Sequence, residues 1–86
     1  MHEYSIVQAM FDQIAHIAQA HHAQSVRRIR VQIGEYAGVD PTLFQTAYEV
    51  YRIGTPCAEA ALQIERVPAG DDLILEQVEL EVRDVR

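Results

Sequence analysis

The stretch RRIRVQIGEYAGVDPTLFQTAY, residues 27–48, contains the strand-to-helix transition that decides the fold. In its first part Ile29, Val31 and Ile33 alternate with polar residues, which predicts a strand over residues 25–35 with one buried face. Asp40 followed by Pro41 is typical of a helix N-cap and the first helical position. The stretch therefore predicts a strand, a glycine-containing loop and a helix in direct succession.

Two helices are predicted, one before this strand and one after it. Ser5 and Gln8 have the spacing of a capping box, which predicts that the first helix begins after Ser5 and continues to about His22. Gly54 is placed to end the second helix as a left-handed residue. The predicted inward stripe of the second helix consists of Leu43, Phe44, Ala47, Val50 and Tyr51.

Two further strands complete the predicted fold. A short one contains Leu62 and Ile64, and a longer one contains Val78, Leu80 and Val82. Residues 67–72 between them are just long enough for a hairpin turn. We therefore predict one α+β domain over residues 1–86, with two layers: two helices packed on a small three-stranded mixed sheet, in the order α-β-α-β-β.

Composition and charge limit the possible partners. The chain has 86 residues and a formal net charge of −6, and its seven basic residues are all arginine. Nucleic-acid binding is disfavoured, because phosphate contacts need a basic surface, and the RRIR run at residues 27–30 is expected to be the solvent face of a strand. With one cysteine and no apolar run long enough to span a membrane, we expect a cytoplasmic protein without membrane contact.

The first residues carry a candidate metal site. The terminal amine of Met1, the backbone nitrogen of His2 and its imidazole can form adjoining chelate rings. Such a flat, nitrogen-rich set favours Ni(II) or Cu(II) over the tetrahedral preference of Zn(II). Glu3 can add a carboxylate ligand or orient the imidazole. The alternative is that a histidine at position two is simply part of a solvated terminus.

Several motifs resemble the HypA/HybF family of nickel metallochaperones, which assist nickel insertion into [NiFe] hydrogenases. They are MHEYS at residues 1–5, IGEYAGVDP at 33–41, FQTAYEV at 44–50, GTP at 54–56 and GDDLILEQVELEV at 70–82. The resemblance implies a nickel(II) site at His2, with Met1, Glu3 and the acidic position Asp40. It also implies a HypB-type GTPase and a [NiFe] hydrogenase large subunit as partners. The resemblance permits urease as a further client, and the sequence leaves that choice open.

One part of the family pattern is missing. The resemblance implies a zinc subdomain with two CxxC pairs between the last two strands, whereas this chain has only AGDD there and Cys57 as its single thiol. We therefore expect no zinc, and the zinc subdomain to be absent between about residues 67 and 72. Whether the difference is natural or engineered stays open. Cys57 is expected to be a buried structural residue.

Two other classes of function stand beside this interpretation. The chain could be a HypA-like interaction or regulatory module without metal transfer. A small enzyme is disfavoured because no hydrolase or nucleotide-binding motif is present, so we expect no catalytic activity. His16 and His21 are five residues apart, which does not suit a shared metal on one helix. An edge position of the last strand would permit a homodimer.

Overall fold

Two helices and three strands follow one another in the predicted order in a computed structural model, which describes residues 3–82. They are α1 (Glu3–Ala20), β1 (Ala23–Gly34), α2 (Pro41–Tyr51), β2 (Ala61–Val67) and β3 (Leu73–Val82). The strands form one mixed sheet, and residues of both helices contribute to its hydrophobic core. The predicted α+β architecture is confirmed.

The sheet has the order β2-β1-β3, so β1 is its central strand. β2 runs parallel to β1 and β3 runs antiparallel to it. The predicted hairpin between β2 and β3 is therefore wrong, because these two strands lie on opposite sides of β1. β3 is an edge strand, as anticipated from the sequence.

The last residue of β2 and the connection from it to β3, residues 67–72 together, pass over the end of β1, and we call this segment the clasp. Its backbone carbonyl groups accept three hydrogen bonds from successive amides at the end of β1. These are Gly34 N to Asp72 O at 2.8 Å, Glu35 N to Val67 O at 2.9 Å and Tyr36 N to Gly70 O at 2.7 Å. The short segment thus binds the strand that it crosses.

The core lies between the sheet and the two helices. From α2 it takes Phe44, Ala47 and Tyr48, which recur at helical spacing and are almost fully buried.

The predicted inward stripe of α2 was correct for Phe44 and Ala47 only. Leu43 and Val50 lie on the flank of the helix and are 51% and 54% exposed, and Tyr51 is 37% exposed. Tyr48, which was not part of the predicted stripe, is 1% exposed and its hydroxyl donates to the Ala60 carbonyl at 2.7 Å.

Helix α1 differs from its prediction at both ends. It begins at Glu3, so Ser5 lies inside the first turn and does not cap the helix. An acidic residue in the first turn favours this longer helix through its interaction with the helix dipole. The helix ends at Ala20 because His22 adopts a left-handed conformation with φ of 55°. Within the described residues, neither helix is long and apolar enough to cross a membrane.

The arginine run lies on the solvent face of β1, as predicted. Arg28 pairs with Glu79 of β3 at 3.8 Å, and Arg30 lies 3.3 Å from Glu65 of β2 and 3.8 Å from Glu76 of β3. Each exposed pair of this kind contributes about 0–1 kcal/mol. Two arginines of the run are therefore paired with acidic residues of the neighbouring strands.

Two buried ionisable side chains make the stability of the fold depend on pH in the alkaline range. Burial raises the pKa of the Tyr48 phenol from 10.0 to about 12 and that of the Cys57 thiol from 9.0 to about 11. A group whose pKa is raised on folding contributes its full stabilisation at pH values below the pKa it has in the unfolded chain. That contribution is lost as the pH rises toward the pKa it has in the folded protein. We expect the free energy of unfolding to fall between pH 9.0 and about 12, as measured by urea denaturation at a series of pH values.

The variant Cys57→Ala separates the two contributions. Its stability should remain level up to about pH 10, where only the tyrosine begins to ionise in the unfolded chain. An unchanged onset of destabilisation in Cys57→Ala would contradict the assignment to the thiol.

Candidate metal centre

Glu3 and Asp40, two of the predicted metal-site residues, are in contact. Glu3 is the first described residue of α1 and is only 8% exposed. Its Oε2 accepts a hydrogen bond from the backbone amide of Asp40 at 3.1 Å. This bond lowers the pKa of the Glu3 carboxyl, because it stabilises the ionised form. The contact therefore holds a carboxylate anion at the start of the chain.

Asp40 also caps helix α2, as its position before Pro41 predicted. Its Oδ1 accepts from the backbone amides of Thr42 and Leu43, at 2.8 and 3.3 Å. Both capping bonds use the same oxygen, and the residue as a whole is exposed to solvent. A cap and a metal ligand are therefore not mutually exclusive roles, because Oδ2 is not used by the cap.

The loop before Asp40, residues 35–39, is held at several points. Its first two amides donate to the clasp, and the exposed Glu35 carboxylate accepts from the Ala69 amide at 3.2 Å. Ala37 and Val39 pack against the hydrophobic core, whereas Tyr36 is 70% exposed. The loop thus connects the clasp with the Glu3–Asp40 contact.

The other candidate ligands do not join the Glu3–Asp40 contact within the described residues. Met1 and His2 lie outside the described residues. His16, His21 and His22 are exposed, and within residues 3–82 no group of three or more histidine, cysteine or acidic side chains is arranged to hold a metal ion. Cys57 is 2% exposed, in agreement with its predicted structural role.

Two glycines near this site were not singled out from the sequence. Gly34 ends β1, and Gly70 lies in the clasp directly against it. A Cβ on Gly34 would come 2.3 Å from the Gly70 carbonyl carbon, so only glycine fits there. The available signal was a glycine at the end of an alternating strand, which often marks the close approach of another backbone.

A family model described as "Hydrogenase/urease nickel incorporation, metallochaperone, hypA" matches residues 1–72. The chain belongs to the HypA family. The match ends at the last residue of the clasp, and both Glu3 and Asp40 lie within it. The predicted family resemblance is thereby confirmed.

Individual relatives agree with this assignment. The hydrogenase maturation factor HypA of Shewanella baltica OS195 is 41% identical over 68 residues, which are 79% of this chain and 58% of that protein. HypA of Helicobacter hepaticus is 35% identical over 85 residues, or 98% of this chain and 64% of that protein. The chain therefore spans about three-fifths of the length of these HypA relatives.

Solved structures show the same fold. The solution structure of the nickel metallochaperone HypA from Helicobacter pylori superposes with a TM-score of 0.83 at 21% identity, covering 96% of this chain and 100% of that one. A second HypA solution structure gives a TM-score of 0.80 at 23% identity, covering 93% and 96%. At these identities the likeness concerns the HypA fold alone.

Proposed function

We propose that this protein is a nickel-binding metallochaperone that assists nickel insertion during [NiFe] hydrogenase maturation. The observation that carries the proposal is the match of the HypA family model over residues 1–72, which includes every candidate nickel ligand. The contact between Glu3 and Asp40 adds support, because it joins two candidate ligands that are 37 positions apart in the sequence. Nickel is the cargo in this role, and no catalytic step is required of the chain.

The proposed ligands are Met1 through its terminal amine, His2 through its backbone nitrogen and imidazole, Glu3, and Asp40. The nitrogen donors suit the square-planar preference of Ni(II). The two carboxylates add negative charge beside them, and hydrogen bonding to the Asp40 amide keeps Glu3 ionised. Because one Asp40 oxygen already caps α2, the other is the better candidate for the metal.

Nickel affinity should depend strongly on pH. A free imidazole has a pKa of about 6.5 and a free terminal amine about 7.7, so protons compete with the metal for both groups below neutrality. We expect the nickel dissociation constant to rise by at least about 100-fold between about pH 7.5 and 5.5, measured by isothermal titration calorimetry. Circular dichroism at the lower pH serves as the control that the fold is intact. A constant affinity over this range would exclude a nitrogen-based site.

The proposed partners are a HypB-type GTPase and a [NiFe] hydrogenase large subunit. Family membership supports hydrogenase or urease maturation as the setting. Association of the purified chain with each partner, measured with and without nickel, tests these assignments. Partner binding by a chain that takes up no nickel would instead favour an interaction or regulatory module.

We further propose that the chain is a HypA core in which the clasp stands in the place of a zinc subdomain. The direct backbone hydrogen bonds between the clasp and β1 support this, because they hold a connection of only five residues between β2 and β3 against the end of β1. Zinc analysis of purified protein by mass spectrometry tests the proposal. One tightly held zinc per chain would contradict it.

A further inference from the structure

The clasp and the Glu3–Asp40 contact lie at opposite ends of the same loop. At one end the amides of Glu35 and Tyr36 donate to Val67 and Gly70 of the clasp, at 2.9 and 2.7 Å. At the other end the Asp40 amide donates to Glu3 at 3.1 Å. The intervening residues therefore connect the β2–β3 segment with the first turn of α1.

This connection has little freedom to absorb a displacement. Ala37 and Val39 pack against the core, and the Ala37 amide donates to the Gly34 carbonyl at 3.1 Å. The end of the loop is fixed by the α2 cap, in which the Asp40 carbonyl also accepts from Phe44 at 2.9 Å. A displacement of the clasp must consequently displace the loop as well, because the loop is held at both ends and cannot absorb it.

We infer that the clasp is a positioning element for the metal centre: by holding residues 35–40, it sets the place of the Asp40 amide and carboxylate relative to Glu3. This inference rests on the proposed function in naming nickel as the bound metal. The positioning itself concerns only described residues and can be measured without metal. Gly70 and Glu35 are the positioning residues, because they contact the loop or belong to it without being candidate ligands.

Gly70→Ala displaces the clasp by a small amount. The new Cβ would lie 3.1 Å from the Gly34 Cα and 3.2 Å from the Val67 Cγ1, so these neighbours must move by a few tenths of an ångström.

Gly54→Ala is the matched control. Gly54 has φ of 76°, and a Cβ added to it would meet no atom within 4 Å, so alanine there strains the backbone away from the loop. Glu35→Gln is a milder second variant, since it weakens only the bond to the Ala69 amide.

The decisive readout is the Asp40 amide in metal-free protein, observed by nuclear magnetic resonance. Its proton shift reports the bond to the Glu3 carboxylate directly, and its hydrogen exchange reports how often that bond opens. We expect Gly70→Ala to move the resonance upfield and speed exchange by about tenfold, with a smaller change of the same sign in Glu35→Gln. Gly54→Ala should change the exchange rate by no more than about twofold beyond its effect on global stability.

Nickel titration of the same variants gives the functional readout. Gly70→Ala should weaken nickel binding by about tenfold, in the range seen when groups supporting metal ligands are altered, while Gly54→Ala leaves it unchanged. An Asp40 resonance unaffected in Gly70→Ala, or affected equally in Gly54→Ala, would overturn the positioning role. Absence of nickel binding in the unmodified protein would refute the proposed function, while the amide measurement would still decide whether the clasp positions Asp40.

Discussion

Replacement of Gly34 by alanine is expected to lower the free energy of unfolding by about 3 kcal/mol or more, the upper range for overpacking a buried position. The new Cβ would lie 2.3 Å from the Gly70 carbonyl carbon, 2.4 Å from its oxygen and 2.8 Å from the Asp71 nitrogen. All three are backbone atoms, so no side-chain rotation can relieve the clash. The clasp must move off the end of β1, which breaks the hydrogen bonds between them.

Thermal denaturation measures this effect most simply. In a domain of this size about 3 kcal/mol corresponds to a fall in Tm of about 12–24 °C. Gly54→Ala is again the control, because its cost comes only from a left-handed backbone and should be about 1 kcal/mol. Equal losses of stability in the two variants would show that the clasp does not pack tightly on β1.

His2→Ala is expected to weaken nickel binding by at least about 100-fold, since loss of a ligand should exceed the effect of disturbing a group that merely supports one. The substitution removes the imidazole and leaves the terminal amine, the backbone nitrogen of residue 2 and the carboxylates of Glu3 and Asp40. Without the imidazole, the two remaining nitrogens no longer complete the flat nitrogen set that favours Ni(II). Isothermal titration calorimetry of the metal-free protein measures the loss.

His16→Ala is the matched control for this result. His16 is an exposed histidine of α1, so its replacement removes the same chemical group from a different surface position. Nickel affinity should stay within about twofold of the unmodified protein, because surface substitutions away from special features have small effects. Equal weakening by both substitutions would indicate nonspecific binding to surface histidines rather than a site at the terminus.

Local features of the fold could be predicted from the sequence. The alternation around Ile29 and Val31 identified β1, because one face of that strand is buried and the other is charged. Asp40 and Pro41 identified the start of α2 through the chemistry of the cap. Each of these patterns involves only a few neighbouring residues, so it can be recognised without knowing the fold.

Features that depend on distant contacts could not be predicted in this way. The order of the strands follows from which edge of β1 each one joins, and no short motif around residues 67–72 specifies this. The start of α1 was misplaced because Glu3 binds an amide 37 positions away, which extends the ordered helix upstream of Ser5. Tyr48 was absent from the predicted stripe of α2, because its burial depends on a hydrogen bond from its hydroxyl to the Ala60 carbonyl.

In the candidate metal centre, too, local patterns were predictable and distant contacts were not. Its residues were named from the terminal motif and the family resemblance, whereas only the fold brings Glu3 and Asp40 together. The role of the capping aspartate was predictable, but its contact with the first turn of α1 was not. Gly34 and Gly70 gain their importance from the crossing of two segments, which the sequence does not display.

The most direct test of a terminal nickel site is a calorimetric nickel titration of untagged protein beside the same protein with its Met1 amine acetylated. Acetylation keeps every side chain but removes the terminal amine as a metal donor. We predict one nickel per chain in the unmodified protein, an affinity at least about tenfold lower in the acetylated one, and equal thermal stability of the two. Equal nickel affinity in both proteins would contradict a metal centre built on the terminal amine.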